Sequence, residues 1–266
     1  MLNSPFSNNR ILPHLCLVGA LFLWAILSRH MGPALMPTPA KTIDSLGTLL
    51  ITPKFWTAFS ITLLRASGAL LAATALALFT GIAAGLSRPF MAFITPAIAI
   101  LQSTPPILWI TLLMVWSGTG GMVPFVVVVA TLYPPLFAVV AQSTAHIPHA
   151  FFDTCRVHRI PAHAVLRHLI LPGIFPGFLG GFSFALGTCW KTAAVAEFLG
   201  SSSGIGAQIY WSYRMLDMER LFAWGAVLIG LGLALELGVI APLKTAALAM
   251  KTSTPSSPPL EIRKAA

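Results

Sequence analysis

VPFVVVVATLYPPLFAVVAQ, residues 123–142, is an uncharged apolar stretch that is followed three residues later by a polar one. The polar stretch is HIPHAFFDTCRVHRIPAHAVLRH, residues 146–168, and it runs directly into LILP at residues 169–172. A helix of about 20 mainly apolar residues is long enough to cross the hydrocarbon core of a bilayer. The two stretches together therefore predict a membrane span followed by a segment that stays on one side of the membrane.

Apolar stretches of similar length recur on both sides of this pair. They predict an all-α membrane protein with about six spanning helices, of which the one quoted above is the fourth. The approximate bounds are Ile11–Leu27, Ser60–Leu86, Met91–Trp116, Val123–Gln142, Ile170–Leu199 and Leu221–Pro242. We divide the chain into residues 1–56 (first span and a surface segment), 57–245 (transmembrane domain) and 246–266 (a Ser- and Pro-rich cytoplasmic tail predicted to be disordered).

The composition excludes a soluble protein. Of the 266 residues 56% are hydrophobic and only 9% are charged, whereas soluble domains carry about 25% charged residues. The net charge of +9 comes from basic residues at the edges of apolar stretches, which indicates orientation in a membrane and not nucleic-acid binding. Cys16, Cys155 and Cys189 have no CxxC spacing, and the histidines lack the spacing of metal ligands, so neither a zinc site nor another metal site is predicted.

The lysines and arginines predict which side each loop occupies. With both termini in the cytoplasm, nine basic residues lie inside: Arg10, Arg88, Arg156, Arg159, Arg167, Lys244, Lys251, Arg263 and Lys264. Five lie outside: Arg29, Lys41, Lys54, Arg214 and Arg220. Cytoplasmic loops carry the excess of positive charge, so the sequence predicts cytoplasmic N- and C-termini.

The segment between the first two spans is predicted to lie on the membrane surface. Ile43, Leu46, Leu49 and Leu50 recur at helical spacing with Asp44 among them. This pattern is typical of a short amphipathic helix at the interface, here on the periplasmic side.

The polar stretch 146–168 predicts two short helices at the membrane surface, with a break near Arg159–Pro161. Their apolar residues are Phe151, Phe152, Cys155, Val157 and Ile160, then Val165, Leu166 and Leu169. An apolar face on a short cytoplasmic helix is suited to transmit force between a membrane subunit and a soluble partner.

The same stretch resembles the EAA motif of the permease subunits of ABC importers. The matching residues are Asp153, Thr154, Cys155, Arg159, Ile170, Leu171 and Pro172. Counted back from the proline, Asp153 falls at the Glu position and Arg159 at the Gly position. Glycine accepts a positive φ that arginine adopts only at a cost. Either the turn between the two helices differs here, or the groove of the partner ATPase has adapted to it.

Further matches are similar to the nitrate/sulfonate/taurine branch of these permeases, and the resemblance covers about residues 57–244. They are Ser103–Pro106, Trp116–Gly118, Cys189–Lys191, Ala196–Gly200 and Ser202–Gly206. The resemblance implies a MetI-like permease fold in the bacterial inner membrane, assembled as a homodimer. It implies a cytoplasmic ABC ATPase and a periplasmic or lipid-anchored solute-binding protein as partners, and a small anion such as a sulfonate, taurine or nitrate as solute. No cofactor and no catalytic residue is expected.

Charged residues inside predicted spans include Arg65, Lys191 and Glu197. Lys191 and Glu197 are six positions apart in the fifth span, so an ideal helix places them on different faces. Intramembrane charges are candidates for function, and both residues are candidates for the translocation path; the alternative is a structural charge bonded to neighbouring helices. Arg65 is interpreted as structural, with its guanidinium reaching toward the interface.

Small residues predict where helices approach closely. Gly81 and Gly85 in the second span and Gly177 and Gly181 in the fifth have the spacing that lets helices pack tightly in lipid. Packing within one chain is the simpler interpretation, and a dimer contact is the alternative. Gly118–Gly121 predicts a tight outer turn, and Ser201–Gly206 predicts a break that could form a re-entrant element.

Two other functional classes remain open from sequence. An ion-coupled secondary transporter would act without an ATPase and favours inverted repeats, of which none stands out. A membrane-embedded enzyme would need a cluster of catalytic groups at the membrane edge. The chain holds no nucleotide-binding motif, so the energy for uphill transport is expected to come from another subunit.

Overall fold

The computed structural model describes residues 11–32, 34–243 and 245, and all regular elements in this part of the chain are helical. The helices are α1 (Ile11–Met31), α2 (Pro39–Ile51), α3 (Pro53–Leu86), α4 (Arg88–Ser103), α5 (Pro106–Ser117), α6 (Met122–Ala145), α7 (His149–Val157), α8 (Ala162–Val165), α9 (Leu171–Gly200), α10 (Ile205–Arg214) and α11 (Met218–Leu235). Two π turns, Leu166–Ile170 and Glu236–Ile240, extend α8 into α9 and lengthen α11. The predicted tail 246–266 and the first ten residues lie outside the described part.

Four helical segments of the described chain are long and apolar enough to cross a membrane. They are Pro53–Leu86, Met122–Ala145, Ala162–Gly200 and Met218–Leu243, and they correspond to the predicted second, fourth, fifth and sixth spans. α1 is helical over 21 residues, about 31 Å, which is enough for the predicted first span. The apolar part of α1 described with its side chains is Val18–Met31.

The predicted third span, Met91–Trp116, is bent and consists of two helices. α4 and α5 meet at an angle of 93°. The cause is Pro105 and Pro106, since a proline cannot continue the preceding helix and forces the residue before it into an extended conformation. Thr104 accordingly has φ −79° and ψ 120°, and Pro106 begins the next helix.

The bent pair α4–α5 runs from one end of the helix bundle to the other. α4 follows Gly85, which packs against Thr144 at the end of α6, so α4 begins near α7. The backbone N–H of Gly120, just after α5, donates to the carbonyl of Gly200 at 3.0 Å, so α5 ends near α10. The bundle thus has two ends, which we call the α7 end and the α10 end.

The core lies between α3, α6 and α9, where the glycines allow close contact. A Cβ at Gly81 would lie 2.9 Å from the Cγ1 of Val140 on α6. A Cβ at Gly181 would lie 3.2 Å from the Cγ1 of Val139. The prediction that these glycines serve packing within one chain is confirmed, because both pairs face α6 of the same molecule.

The predicted amphipathic surface helix is α2, at the α10 end. Thr38 caps its N-terminus by accepting a hydrogen bond from Lys41 N–H at 3.3 Å. Leu49 is buried in a cluster with Phe55 and Trp224, while Ile43 and Leu50 remain exposed. α2 therefore packs through one apolar edge onto α3 and α11.

Candidate functional site

The turn between α7 and α8 keeps the backbone of a glycine turn although an arginine occupies it. Arg159 has φ +52°. Its N–H donates to the carbonyl of Arg156 at 3.1 Å, and the N–H of Ile160 donates to the carbonyl of Cys155 at 2.9 Å. These two bonds around a left-handed residue form a Schellman motif, the usual glycine-terminated end of a helix. The alternative that the turn itself differs at Arg159 is therefore not favoured.

The two faces of the α7–α8 segment have different surroundings. Phe152, Val165 and Leu169 pack against a buried cluster that contains Ile147 and Ile170. On the other face Phe151 is 55% exposed and Val157 is 79% exposed. One face thus anchors the segment to α6 and α9, and the other presents aromatic and aliphatic side chains outward.

The predicted motif residues divide between these faces. Asp153 is exposed and lies 3.7 Å from the guanidinium of Arg156, one turn along the same helix. Thr154 is exposed and its hydroxyl donates to the carbonyl of Ala150 at 2.9 Å, while Cys155 is half-buried. Arg159 is exposed. The acidic residue and its neighbours are therefore accessible to a partner.

The end of the motif is a structural junction. Ile170 is buried, whereas Leu171 and Pro172 are exposed. Pro172 has no N–H to donate and would clash with a carbonyl one turn earlier in a regular α-helix. The π turn Leu166–Ile170, closed by a bond from Leu171 N–H to Leu166 O, widens the helix just before it. The prediction of a separate second surface helix was wrong, because the helix runs without interruption from Ala162 to Gly200.

Glu197 on α9 is fully buried and lies at the centre of a network of hydrogen bonds. Its Oε1 lies 3.0 Å from Nη1 of Arg65 on α3. Its Oε2 accepts hydrogen bonds from the Thr62 hydroxyl at 2.7 Å and from the Gly206 N–H at 3.2 Å. A buried charge is tolerated when it is paired and its remaining lone pairs are bonded, and this carboxylate meets both conditions.

The same network fixes the chain where it leaves α9 and enters α10. Arg65 also donates to the carbonyl of Ser203 at 2.7 Å and to its hydroxyl at 2.9 Å. The Thr62 hydroxyl accepts from Ile205 N–H at 2.8 Å. α3 thus binds both ends of the connection, and the predicted break at Ser201–Gly206 is a turn held by side chains of α3.

Glycines are required at this turn. Gly204 has φ +104°, and a Cβ there would collide with the Glu197 carboxylate. A Cβ at Gly206 would collide with the carbonyl of Ala194. The ten-residue helix α10 (Ile205–Arg214) can therefore fold back against the end of α9, as a helix too short to cross the membrane.

The pairing of Arg65 with Glu197 was missed from the sequence. Arg65 is structural, as predicted, and it pairs within the bundle. The available signal was that two charges of opposite sign, Arg65 and Glu197, lie near the same end of two predicted spans. Charges in lipid-buried helices usually pair with one another.

Lys191 lies away from this network. It is exposed, and its Nζ lies 5.5 Å from the centroid of the Trp190 ring. It lines an apolar groove of about 480 Å³ with Val195, Phe198 and Leu228. The expectation that Lys191 and Glu197 occupy different faces of the helix agrees with these contacts. Their roles in a translocation path stay predictions, and the contacts of Glu197 described here are those of a structural pair.

A family model described as binding-protein-dependent transport system inner membrane component matches residues 73–249. That is more than half of the chain and includes α7, α8, Lys191 and Glu197. The chain belongs to this family. It is therefore a multi-pass inner-membrane permease component of an ABC importer, within the nitrate/sulfonate/taurine branch that its residues resemble.

Three relatives illustrate the branch. The putative aliphatic sulfonates transport permease protein SsuC of Bacillus subtilis is 25% identical over 193 residues, covering 73% of this chain and 70% of SsuC. The taurine transport system permease protein TauC of Escherichia coli is 24% identical, covering 81% of each chain. The nitrate import permease protein NrtB of Synechococcus elongatus is 24% identical, covering 79% of this chain and 86% of NrtB.

Chains of solved ABC transporter structures share the fold. A chain of a bacterial ABC transporter involved in the import of the acidic polysaccharide alginate superposes with a TM-score of 0.64 at 12% identity, covering 91% of this chain and 96% of that one. A chain of the MetNI methionine ABC transporter, in an inward-facing conformation, gives a TM-score of 0.57 at 16% identity, covering 77% and 99%. The predicted MetI-like architecture is confirmed at the level of the fold.

Proposed function

We propose that this permease forms, as a homodimer, the translocation pathway for a small oxyanion such as a sulfonate, taurine or nitrate, and that a separate ATPase drives it through the α7–α8 segment. The named solutes of three relatives in the same branch support the choice of anion. The family description supports a solute-binding protein as a partner.

The observation that carries the proposal is the two-sided construction of α7–α8. Phe152 and Ile170 anchor the segment in the cluster formed with α6 and α9, while Phe151, Asp153 and Val157 face outward. When the ATPase displaces the outer face of the α7–α8 segment, the displacement reaches α9 directly, because the helix is continuous from Ala162 to Gly200. Rigid-body motion of helices is how such transporters alternate access.

In this proposal the α7 end is cytoplasmic and both termini lie on that side. Arg88, Arg156 and Arg167 lie at the α7 end, where the positive-inside rule favours them. The α10 end then faces the periplasm and receives solute from the binding protein. Lipids cover the remaining apolar surface of the bundle.

Lys191 is proposed to face the pathway. It lies nine residues before Gly200 on α9, roughly 14 Å from the α10 end of the helix. A lysine at this depth is unfavourable against lipid tails by about 2.5–3.5 kcal/mol. Its surface is therefore better suited to face a second copy of the chain or a water-filled path, where an anion can approach the ammonium group.

The test is purification of the chain in mild detergent, identification of co-purifying proteins by mass spectrometry, and reconstitution of the complex into liposomes. We expect an ATPase with nucleotide-binding motifs to co-purify, and labelled taurine, ethanesulfonate or nitrate to accumulate only when ATP and the binding protein are supplied. Crosslinking should trap two copies of this chain per complex.

The competing function is ion-coupled transport without an ATPase. Solute accumulation by the purified chain alone, driven by a proton or sodium gradient and unaffected by ATP, would overturn the proposal. If no ATPase co-purifies in any of several detergents, this result would also contradict the proposal.

A further inference from the structure

We propose that a polar bowl at the α10 end is a binding site for a small oxyanion, separate from the groove that contains Lys191. The bowl lies between α2, the start of α3, α10 and the start of α11, and has a volume of about 670 Å³. Ligand sites in proteins are concave and typically enclose about 300–1,000 Å³, with a few converging polar groups. This inference rests on the proposed function in taking the α10 end as the side from which solute arrives.

The bowl contains hydrogen-bond donors that the protein leaves unused. Lys54, Ser202 and Gln208 line it, and none of the three side chains hydrogen-bonds to another part of the described chain. Trp211 and Trp224 are also part of the lining. An ammonium group, an amide and a hydroxyl around one cavity are the groups that hold an oxyanion, which accepts several hydrogen bonds at once.

The charge of the bowl favours an anion. Its one lining carboxylate, on Asp217, is already neutralised, because it accepts the backbone N–H of Arg220 at 3.1 Å and lies 3.4 Å from the Arg220 Nε. Lys54 has no acidic partner within the described residues. One uncompensated cation therefore remains for a ligand of negative charge.

The bowl is connected to the buried network by the chain itself. Ser202 lies between Ser201 and Ser203, which hydrogen-bond to Arg65, and Gln208 lies one turn beyond Ile205, whose N–H is bound to Thr62. Ser202 and Gln208 thus lie on the turn and helix fixed by α3, and Lys54 lies at the start of α3 itself. This provides a preorganised cavity, which lowers the entropic penalty of binding.

The experiment measures binding to the full chain alone in phosphatidylcholine nanodiscs, with ethanesulfonate and nitrate as probes and dimethyl sulfone as an uncharged control. Binding is followed by calorimetry and by tryptophan fluorescence. We expect both anions to bind and the sulfone not to bind. Lys54→Met should weaken anion binding by about tenfold or more, since a charge-assisted hydrogen bond is lost, and Gln208→Leu should weaken it by a smaller factor.

A matched control is Lys41→Met. Lys41 is an exposed lysine on α2, at the same end of the bundle as Lys54, but it is paired with Glu219 at 2.9 Å and does not line the bowl. Absence of anion binding to the wild-type chain, or equal weakening by Lys41→Met and Lys54→Met, would overturn the inference. Because no ATPase is present, this result is independent of the uptake assay. If the anions bind but ATP-driven uptake is absent, the proposed function is contradicted and the proposed anion site is not.

Discussion

Arg65 and Glu197, which are 132 positions apart in the sequence, form a buried ion pair with 3.0 Å between Nη1 and Oε1. The pair joins α3 to the last turn of α9 and, through Ser203 and Gly206, to the start of α10. It is the contact through which three helices at the α10 end are held in one arrangement. Its first consequence is for stability.

Removing one partner of this pair should destabilise the fold more than removing both. Arg65→Met leaves a buried carboxylate unpaired, and Glu197→Met leaves a buried guanidinium unpaired, so each should cost about 3–5 kcal/mol. The double variant should recover most of the loss, because apolar replacement of both partners is often neutral. Thermal unfolding in detergent measures all three. Lys41→Met, which breaks the exposed pair with Glu219, should cost about 0–1 kcal/mol; additive losses in the double variant would contradict the role assigned to the pair.

Substitution of a glycine in the turn after α9 should lower stability by a steric collision. Gly204→Ala places a Cβ against the Glu197 carboxylate at φ +104°, so both collision and backbone strain act, and the protein should be severely destabilised. Gly118→Ala at φ +72° and ψ −175° meets no atom within 4 Å, so only backbone strain of about 1–3 kcal/mol is expected. Gly230→Ala, within α11 and also free of neighbours, should be neutral or stabilising by up to about 1 kcal/mol. Melting temperatures should follow this order, and equal values for Gly204→Ala and Gly118→Ala would exclude the collision.

The sequence could predict the features that depend on local patterns. The fourth span was predicted at Val123–Gln142, and α6 covers Met122–Ala145. The agreement is close because a long uncharged apolar stretch that ends in polar residues indicates a spanning helix. The break near Arg159–Pro161 was also correct, because Pro161, which lies four residues after the last residue of α7, is a local signal for a helix end. Both rest on neighbours within a few residues.

Other features could not be predicted because they depend on distant residues or on angles. Nothing local to Arg65 shows that its partner is on α9. The break before Pro105 and Pro106 has a local cause, but the 93° between α4 and α5 depends on what both helices pack against. The continuity of α8 into α9 depends on a π turn before Pro172, whereas a proline in the sequence favours a boundary.

Arg159 offers a prediction in which a substitution should stabilise the protein. Glycine at φ +52° avoids the strain of a left-handed arginine, so Arg159→Gly should raise stability by about 1 kcal/mol. The same change one turn earlier, Arg156→Gly, falls inside α7 and should lower stability by about 1 kcal/mol. Thermal unfolding of the two variants should give shifts of opposite sign. If both lower the melting temperature, the arginine side chain stabilises the turn by a contact of its own.

The proposed coupling surface predicts a loss of partner binding without a loss of folding. Asp153 is exposed on α7 and its weak pair with Arg156 spans 3.7 Å, so Asp153→Lys should leave insertion and melting unchanged. The reversed charge should reduce ATPase association by about tenfold, the effect of roughly 1.4 kcal/mol at an interface. Glu219→Lys, a matched reversal at the α10 end, should leave ATPase binding intact. Pull-down and ATPase activity measure the effect of each variant. Equal ATPase binding by the two variants would show that Asp153 does not lie in the interface with the ATPase.

Substitution of Lys191 tests whether this residue lines the translocation pathway or has a structural role. Its ammonium group is exposed in an apolar groove and contacts only the Trp190 ring among the interactions described for it, so Lys191→Met should not destabilise the fold. If the ammonium attracts the anion during passage, uptake of ethanesulfonate or nitrate should fall by about tenfold, as expected when a charge-assisted hydrogen bond is lost. Lys191→Arg should retain most of the uptake because the charge is kept. ATPase association should be the same in all three proteins, so the loss is assigned to the solute and not to coupling. Normal uptake by Lys191→Met, with normal melting, would place the pathway on another face of α9.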